Sequence, residues 1–183
     1  MVTKKHTLVA LVEDNPGVLN RMVSLFRRRG FNIASIAVGS SETPGFSKVT
    51  FVVDGSLEMV EQVRKQLLAK VVEIVKVSDI TDEPIVVREL ALIKVKATAG
   101  ASSDIIQMVD IFRAEIVDVS PDSLIIEVTG SEDKISSLIE LVRPFGLKEI
   151  TRTGRIAMLR GGVNTDDEVS AKIESEVKTK KQA

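Results

Sequence analysis

Val12-Glu13-Asp14-Asn15-Pro16-Gly17-Val18-Leu19 is the stretch of this chain best suited to ligand chemistry. An apolar run precedes it and a helical pattern follows, so the backbone N–H groups of Gly17 and Val18 fall where a helix N-terminus opens. Such groups attract anions, and an amino-acid carboxylate is a natural guest. Asn-Pro-Gly is also ordinary turn and helix-start chemistry, so the motif alone does not demand a ligand. Two neighbours add weight to one. Asn32 begins the next strand, which can end near the same loop. Ala34, Ser35, Ala37 and Gly39 along that strand are small enough for another chain or a ligand to come close to its backbone.

Catalytic chemistry finds few carriers. Glu13 and Asp14 are adjacent, so on a strand they point to opposite faces, a poor arrangement for paired acid and base work. His6 is the only histidine, and without a nucleophile beside it the expectation is a structural surface residue. Ser35, Ser40 and Ser41 lack a nucleophile-elbow context, and no Gly-rich phosphate loop is present. The expectation is no catalytic residue and no metal site.

Composition narrows the class further. The chain has 183 residues, 44% hydrophobic and 28% charged, a globular balance with room for one large or two small domains. There is no Cys, which excludes disulfides and thiolate chemistry. Aromatics are 3% with no Trp or Tyr, so the cores must be built from Val, Ile and Leu. A net charge of −1 gives no global pull toward nucleic acid or anionic lipid. Met1-Val2-Thr3-Lys4-Lys5 runs straight into a strand, and no apolar run could span a bilayer, which predicts a cytoplasmic protein. Arg27-Arg28-Arg29 falls in the last turn of a helix, where cations favour the helix dipole. RNA binding by such a sheet would need exposed stacking aromatics on its central strands, and none is expected. A solvated helix end or a salt-bridging patch for a protein partner fits better.

The elements that must position the loop alternate in type. Thr7–Val12 reads as a central strand and Pro16–Arg29 as a helix, with Val18, Met22, Leu25 and Phe26 on one face and Gly30 as its stop. Pro16 suits the first helical position, and Asn15 or Asp14 the cap. Strands at Asn32–Gly39 and Lys48–Asp54, a helix capped by Ser56, and a strand at Val71–Ile80 complete a βαββαβ order. After Thr81-Asp82-Glu83-Pro84 the order returns. A strand at Glu89–Ala97, a helix at Ser103–Phe112, strands at Glu115–Val119 and Leu124–Thr129, a helix at Glu132–Phe145 and a strand at Lys148–Thr153 follow. A local echo supports the repeat: Leu25-Phe26-Arg27 leads into Asn32-Ile33 as Ile111-Phe112-Arg113 leads into Glu115-Ile116. The predicted class is α+β, two tandem ferredoxin-like sandwiches at residues 6–80 and 87–160, with a linker at 81–86 and a charged tail at 161–183. Val169, Ile173 and Val177 recur every four residues in that tail, as in a short helix or a frayed, solvated segment.

Val12 to Leu19, with Leu25-Phe26-Arg27-Arg28-Arg29-Gly30-Phe31-Asn32-Ile33, resembles the ACT domain of the small, regulatory subunit of acetolactate (acetohydroxyacid) synthase. Lys70–Val77, Arg88–Val95 and Ile111–Val119 are similar to later segments of that family, so the resemblance covers about residues 6–160. It implies an ACT domain in the first half and a non-catalytic job. Such a subunit binds the catalytic large subunit, raises its activity and confers feedback inhibition by valine or a related branched-chain amino acid. Thiamine diphosphate, magnesium and FAD are then expected on the large subunit, and no cofactor on this chain. The resemblance also implies a homodimer paired through the edge strand Asn32–Gly39. The effector site at that interface would comprise Asp14, Asn15, Pro16, Gly17, Val18, Leu19, Asn32 and Ile33. Many family members carry Asn where this chain has Asp14; a carboxylate there can only accept hydrogen bonds, which suits an effector's ammonium group. No nucleic acid or membrane is implied. A stand-alone amino-acid sensor acting on another partner is the alternative.

Overall fold

Two βαββαβ units follow one another in the computed structural model, which describes residues 4–97 and 102–161. The compact units divide after Val86, and the last described residues, from Ala157, group with the first.

The first unit orders β1 (Lys4–Glu13), α1 (Val18–Arg29), β2 (Ile33–Ser40), β3 (Phe46–Gly55), α2 (Leu57–Lys70) and β4 (Ile74–Asp79). Its antiparallel sheet runs β2-β3-β1-β4, which leaves β2 on an edge. Leu8, Ala10 and Val12 of β1 alternate onto the helix side and pack with Val49, Phe51 and Val53 of β3. Val18, Met22, Leu25 and Phe26 recur at helical spacing and close the core from α1, with Val60, Val63 and Leu67 of α2 beside them. Phe26 meets Phe51 edge to face at 5.4 Å between ring centroids. None of the six phenylalanines is exposed. Base stacking therefore has no aromatic platform.

The second unit repeats the plan with β5 (Ile85–Lys96), α3 (Ser102–Ile111), β6 (Glu115–Ser120), β7 (Ser123–Gly130), α4 (Glu132–Val142) and β8 (Leu147–Arg152), in the order β6-β7-β5-β8. Ala91, Ile93 and Val95 meet Leu124, Ile126 and Val128 across the two central strands, under Ile105 and Val109 of α3 and Ile135, Leu138 and Val142 of α4. Glu89 lies buried at the start of this run, held bidentately by Arg152 of β8 at 2.6 and 2.7 Å.

The repeat extends to the helix ends. After α1, Gly30 adopts φ +70°, its N–H bonds to Arg27 O, and Phe31 N–H reaches back to Phe26 O. After α3, Arg113 takes the same place at φ +48°, with its N–H on Asp110 O and Ala114 N–H on Val109 O. Both helices thus end in one left-handed motif, although only the first has the glycine that favours it.

Several expectations needed adjustment. Helix α1 starts at Val18 rather than Pro16, because residues 14–17 are spent on a turn in which Val18 N–H reaches Asn15 O at 3.4 Å. The cap is Gly17, not Asn15 or Asp14, and no side chain caps the helix. Strand β5 begins four residues before Glu89, since Ile85-Val86-Val87 is β-branched and suits an extended backbone. The Glu132–Phe145 helix stops at Val142 and finishes as a 3₁₀ turn over Arg143–Phe145, because Pro144 has no N–H to donate to the preceding turn. An unanticipated strand, β9 (Ile156–Leu159), pairs with β5. His6 is buried, not a surface residue: its Nδ1 lies 3.0 Å from Asp79 Oδ2, and Asp79 in turn accepts from Thr81 N–H at 3.0 Å. The helical reading of Val169, Ile173 and Val177 falls outside the described residues.

Candidate functional site

The loop from Asp14 to Gly17 is anchored by backbone on both sides. Glu13 N–H donates to Glu73 O at 2.8 Å, which ties the end of β1 to the start of β4. Asp14 N–H donates to Gly45 O at 2.8 Å, which ties it to the β2–β3 hairpin. Asn15 turns back on Glu13: its backbone N–H meets Glu13 O at 2.9 Å and its side-chain amide meets Glu13 Oε2 at 2.8 Å. That amide is therefore engaged within the loop. The side chains of Asp14, Asn15 and Pro16 are exposed, as is Leu19, while Val18 is buried and plugs the first turn of α1 into the core.

Gly17 is the pivot. At φ +85° and ψ −4° it turns the chain from strand into helix in a conformation that costs an L residue roughly 1–2 kcal/mol. Its carbonyl already accepts the first helical bond, from Arg21 N–H at 3.0 Å. No side chain caps the helix, and Val18 N–H has only its long 3.4 Å bond to Asn15 O, so the positive end of the dipole at Gly17 lacks a side-chain acceptor. A Cβ at Gly17 would come 3.6 Å from an Arg21 guanidinium nitrogen, an ordinary contact, so backbone strain rather than crowding is what selects glycine here. Arg21 itself pairs with Glu73, whose other carboxylate oxygen is buried with no hydrogen-bond partner.

Asn32 and Ile33 lie elsewhere in the same chain. Glu13 pairs with Phe46 and Ser40 with Ser47, so the Asp14–Gly17 loop sits at the end of β2. Ile33 pairs with Val53, at the far end of the same strand. Seven strand steps separate the two ends, about 23 Å. Asn32 is exposed, and Ile33 packs partly against the first core. The residues predicted for the site thus form two groups, one at each end of the edge strand. No sequence pattern showed the Arg21–Glu73 pair beside the loop, because its members lie 52 residues apart. Among the described residues no three His, Asp or Glu side chains converge as metal ligands, and no helix is long and apolar enough to cross a membrane.

The comparisons with known proteins match both units. Residues 8–76 match the model of the AHAS small subunit-like ACT domain, and residues 88–161 that of the small subunit of acetolactate synthase. A probable acetolactate synthase small subunit of Archaeoglobus fulgidus is 55% identical over 157 residues, 86% of this chain and 98% of the relative. The acetolactate synthase small subunit of Mycobacterium bovis is 47% identical over 167 residues, 90% of this chain and 99% of the relative. The crystal structure of the Thermotoga maritima small subunit superposes with a TM-score of 0.80 at 44% identity, covering 87% of this chain and 99% of that one. With relatives matched over nearly their whole lengths and both halves matched in order, the chain belongs to the family of acetolactate synthase small subunits.

Proposed function

We propose that this chain is the non-catalytic regulatory subunit of an acetolactate synthase, raising the activity of the catalytic large subunit and making it sensitive to valine or a related branched-chain amino acid. The observation that carries the effector site is the uncapped start of α1 at Gly17, a ready anion site on the loop beside an edge strand. The effector's carboxylate docks on the N–H groups of Gly17 and Val18, replacing the long 3.4 Å bond from Val18 N–H to Asn15 O, and its ammonium on Asp14 or on Asn32 of the partner subunit.

The separation of the two residue groups gives the dimer its part. When two copies pair antiparallel through β2, the two-fold axis carries the start of one β2 to the end of the other. Asn32 and Ile33 of the partner subunit then approach the Asp14–Gly17 loop, and two equivalent sites form. Burying a valine side chain there contributes roughly 1.5–3 kcal/mol, so the polar clamp must supply much of the remaining affinity. Inhibition further requires the ligand to favour one state of the complex, commonly by about 1–3 kcal/mol. Thiamine-dependent chemistry belongs to the large subunit in this reading.

The test adds the purified chain to its large subunit and assays acetolactate formation with and without valine. Stimulation that valine reverses is expected. A large subunit indifferent to the chain would refute the proposal.

A further inference from the structure

Helices α1 and α2 end side by side in the first unit, and their closing turns are cationic. Helix α1 carries Arg21, Arg27, Arg28 and Arg29 and no acidic residue, and α2 ends on Lys70. Two adjoining depressions of about 220 and 360 Å³ lie between these ends and share Leu25, Arg28 and Lys70. No carboxylate lines either one. Arg21 is matched by Glu73, and Arg29 donates Nε to the neutral Gln66 Oε1 at 3.0 Å. Arg27, Arg28, Arg29 and Lys70 are exposed, and among the described residues none of them meets a carboxylate.

Helix dipoles do not account for this cluster. Each helix C-terminus contributes roughly −0.5 charge, so two ends offset about one of the four unmatched cations. The remainder repel one another and present a positive groove on a chain whose net charge is −1. A single-stranded nucleic acid or a stacked nucleotide is disfavoured as occupant, because no exposed aromatic offers a base-stacking platform. A groove two helices wide, with apolar Leu25 beneath a cationic rim, matches an acidic protein segment. We propose that this α1–α2 groove docks a carboxylate-bearing segment of the catalytic large subunit. The inference rests on the reading that this chain partners with that subunit, and it names the surface used.

The test measures binding of the full-length chain to the large subunit by sedimentation at several salt concentrations, alongside the concentration giving half-maximal stimulation. Arg27→Glu with Arg28→Glu is expected to raise the dissociation constant by at least about tenfold and to flatten its salt dependence. Arg27→Gln with Arg28→Gln, which adds no repulsion, is expected to give a smaller loss in the same direction, and Arg27→Lys with Arg28→Lys to stay within about threefold of the parent. Circular dichroism of each variant checks the fold. Unchanged affinity and salt dependence in the folded Glu variant would overturn the groove while leaving the regulatory reading intact. Binding without stimulation would count against the regulatory reading and leave the groove to the variants. No binding by the parent chain overturns both. Tight binding of inorganic triphosphate that the Glu variant loses, with large-subunit affinity unchanged, would make the groove a phosphate site and overturn the proposal.

Discussion

Arg21 and Glu73 form an ion pair that bridges the first turn of α1 and the approach to β4, directly beside Gly17. The pair ties α1 to the residue before β4, while Glu13 N–H and Asp14 N–H hold the loop by backbone to Glu73 O and Gly45 O.

Gly17→Asp tests the carboxylate end of the site. It places an anion at the proposed docking point of the effector's carboxylate and a side chain at φ +85°, with a stability loss of roughly 1–2 kcal/mol. Valine inhibition is expected to vanish while stimulation of the large subunit persists. Acetolactate assays across a valine titration decide it, and inhibition that survives in the folded variant would sink the placement.

Mixing two damaged chains tests whether the site is shared between subunits. Gly17→Asp and Asn32→Ala are each expected to lose valine response alone. In a mixed dimer, one site combines intact Gly17 from one chain with intact Asn32 from the other, so partial inhibition returns. A site contained in a single chain gives no recovery on mixing, and the same assay after co-refolding separates the two outcomes.

Arg113→Gly is expected to stabilise the protein. Arg113 occupies at φ +48° the place that Gly30 fills in the first unit, with the same pair of capping hydrogen bonds. Relief of left-handed strain outweighs the added freedom of the unfolded chain, for a gain of about 0.5–1 kcal/mol. Urea denaturation with an unchanged m-value would register it as a higher midpoint.

Acid should weaken the fold through identifiable carboxylates. Hydrogen bonds from Lys4, Lys148 and Arg64 hold Asp82, Asp122 and Glu61 below their ordinary range, and Glu42 is lowered by a backbone hydrogen bond and by Lys48. A folded-state pKa below the unfolded one stabilises above the unfolded value, and that stabilisation is lost as pH falls through the folded one. Melting temperature is therefore expected to hold through neutral pH and to drop below about pH 4. Replacing the four by Asn or Gln should make that drop shallower.

Much of the fold was legible from residue order. The apolar faces of α1, α2 and α4 follow helical spacing, and Ser56 and Ser131 cap α2 and α4 with their side chains, so these helices could be read locally. The repeated βαββαβ order follows from turn residues between β-branched runs, and the edge position of β2 suits its small residues. Local pattern was less informative where contacts are distant. His6 looked like a lone surface residue because its partner, Asp79, lies 73 positions away. The start of α1 was misplaced because Asn15 spends its amide on Glu13 rather than on a cap.

The sequence by itself determined the two-module organisation, the family and the loop whose backbone could hold a carboxylate, since these depend on periodicity and on short motifs. Only the tertiary structure decided where Asn32 stands relative to that loop. Antiparallel register couples the end of β1 to the end of β2, so the start of β2 is carried about 23 Å away. It also brought the cationic end of α1 against the end of α2, turning Arg27-Arg28-Arg29 from one helix terminus into the wall of a groove. Both outcomes depend on how strands and helices pair in space, and no local spacing encodes that.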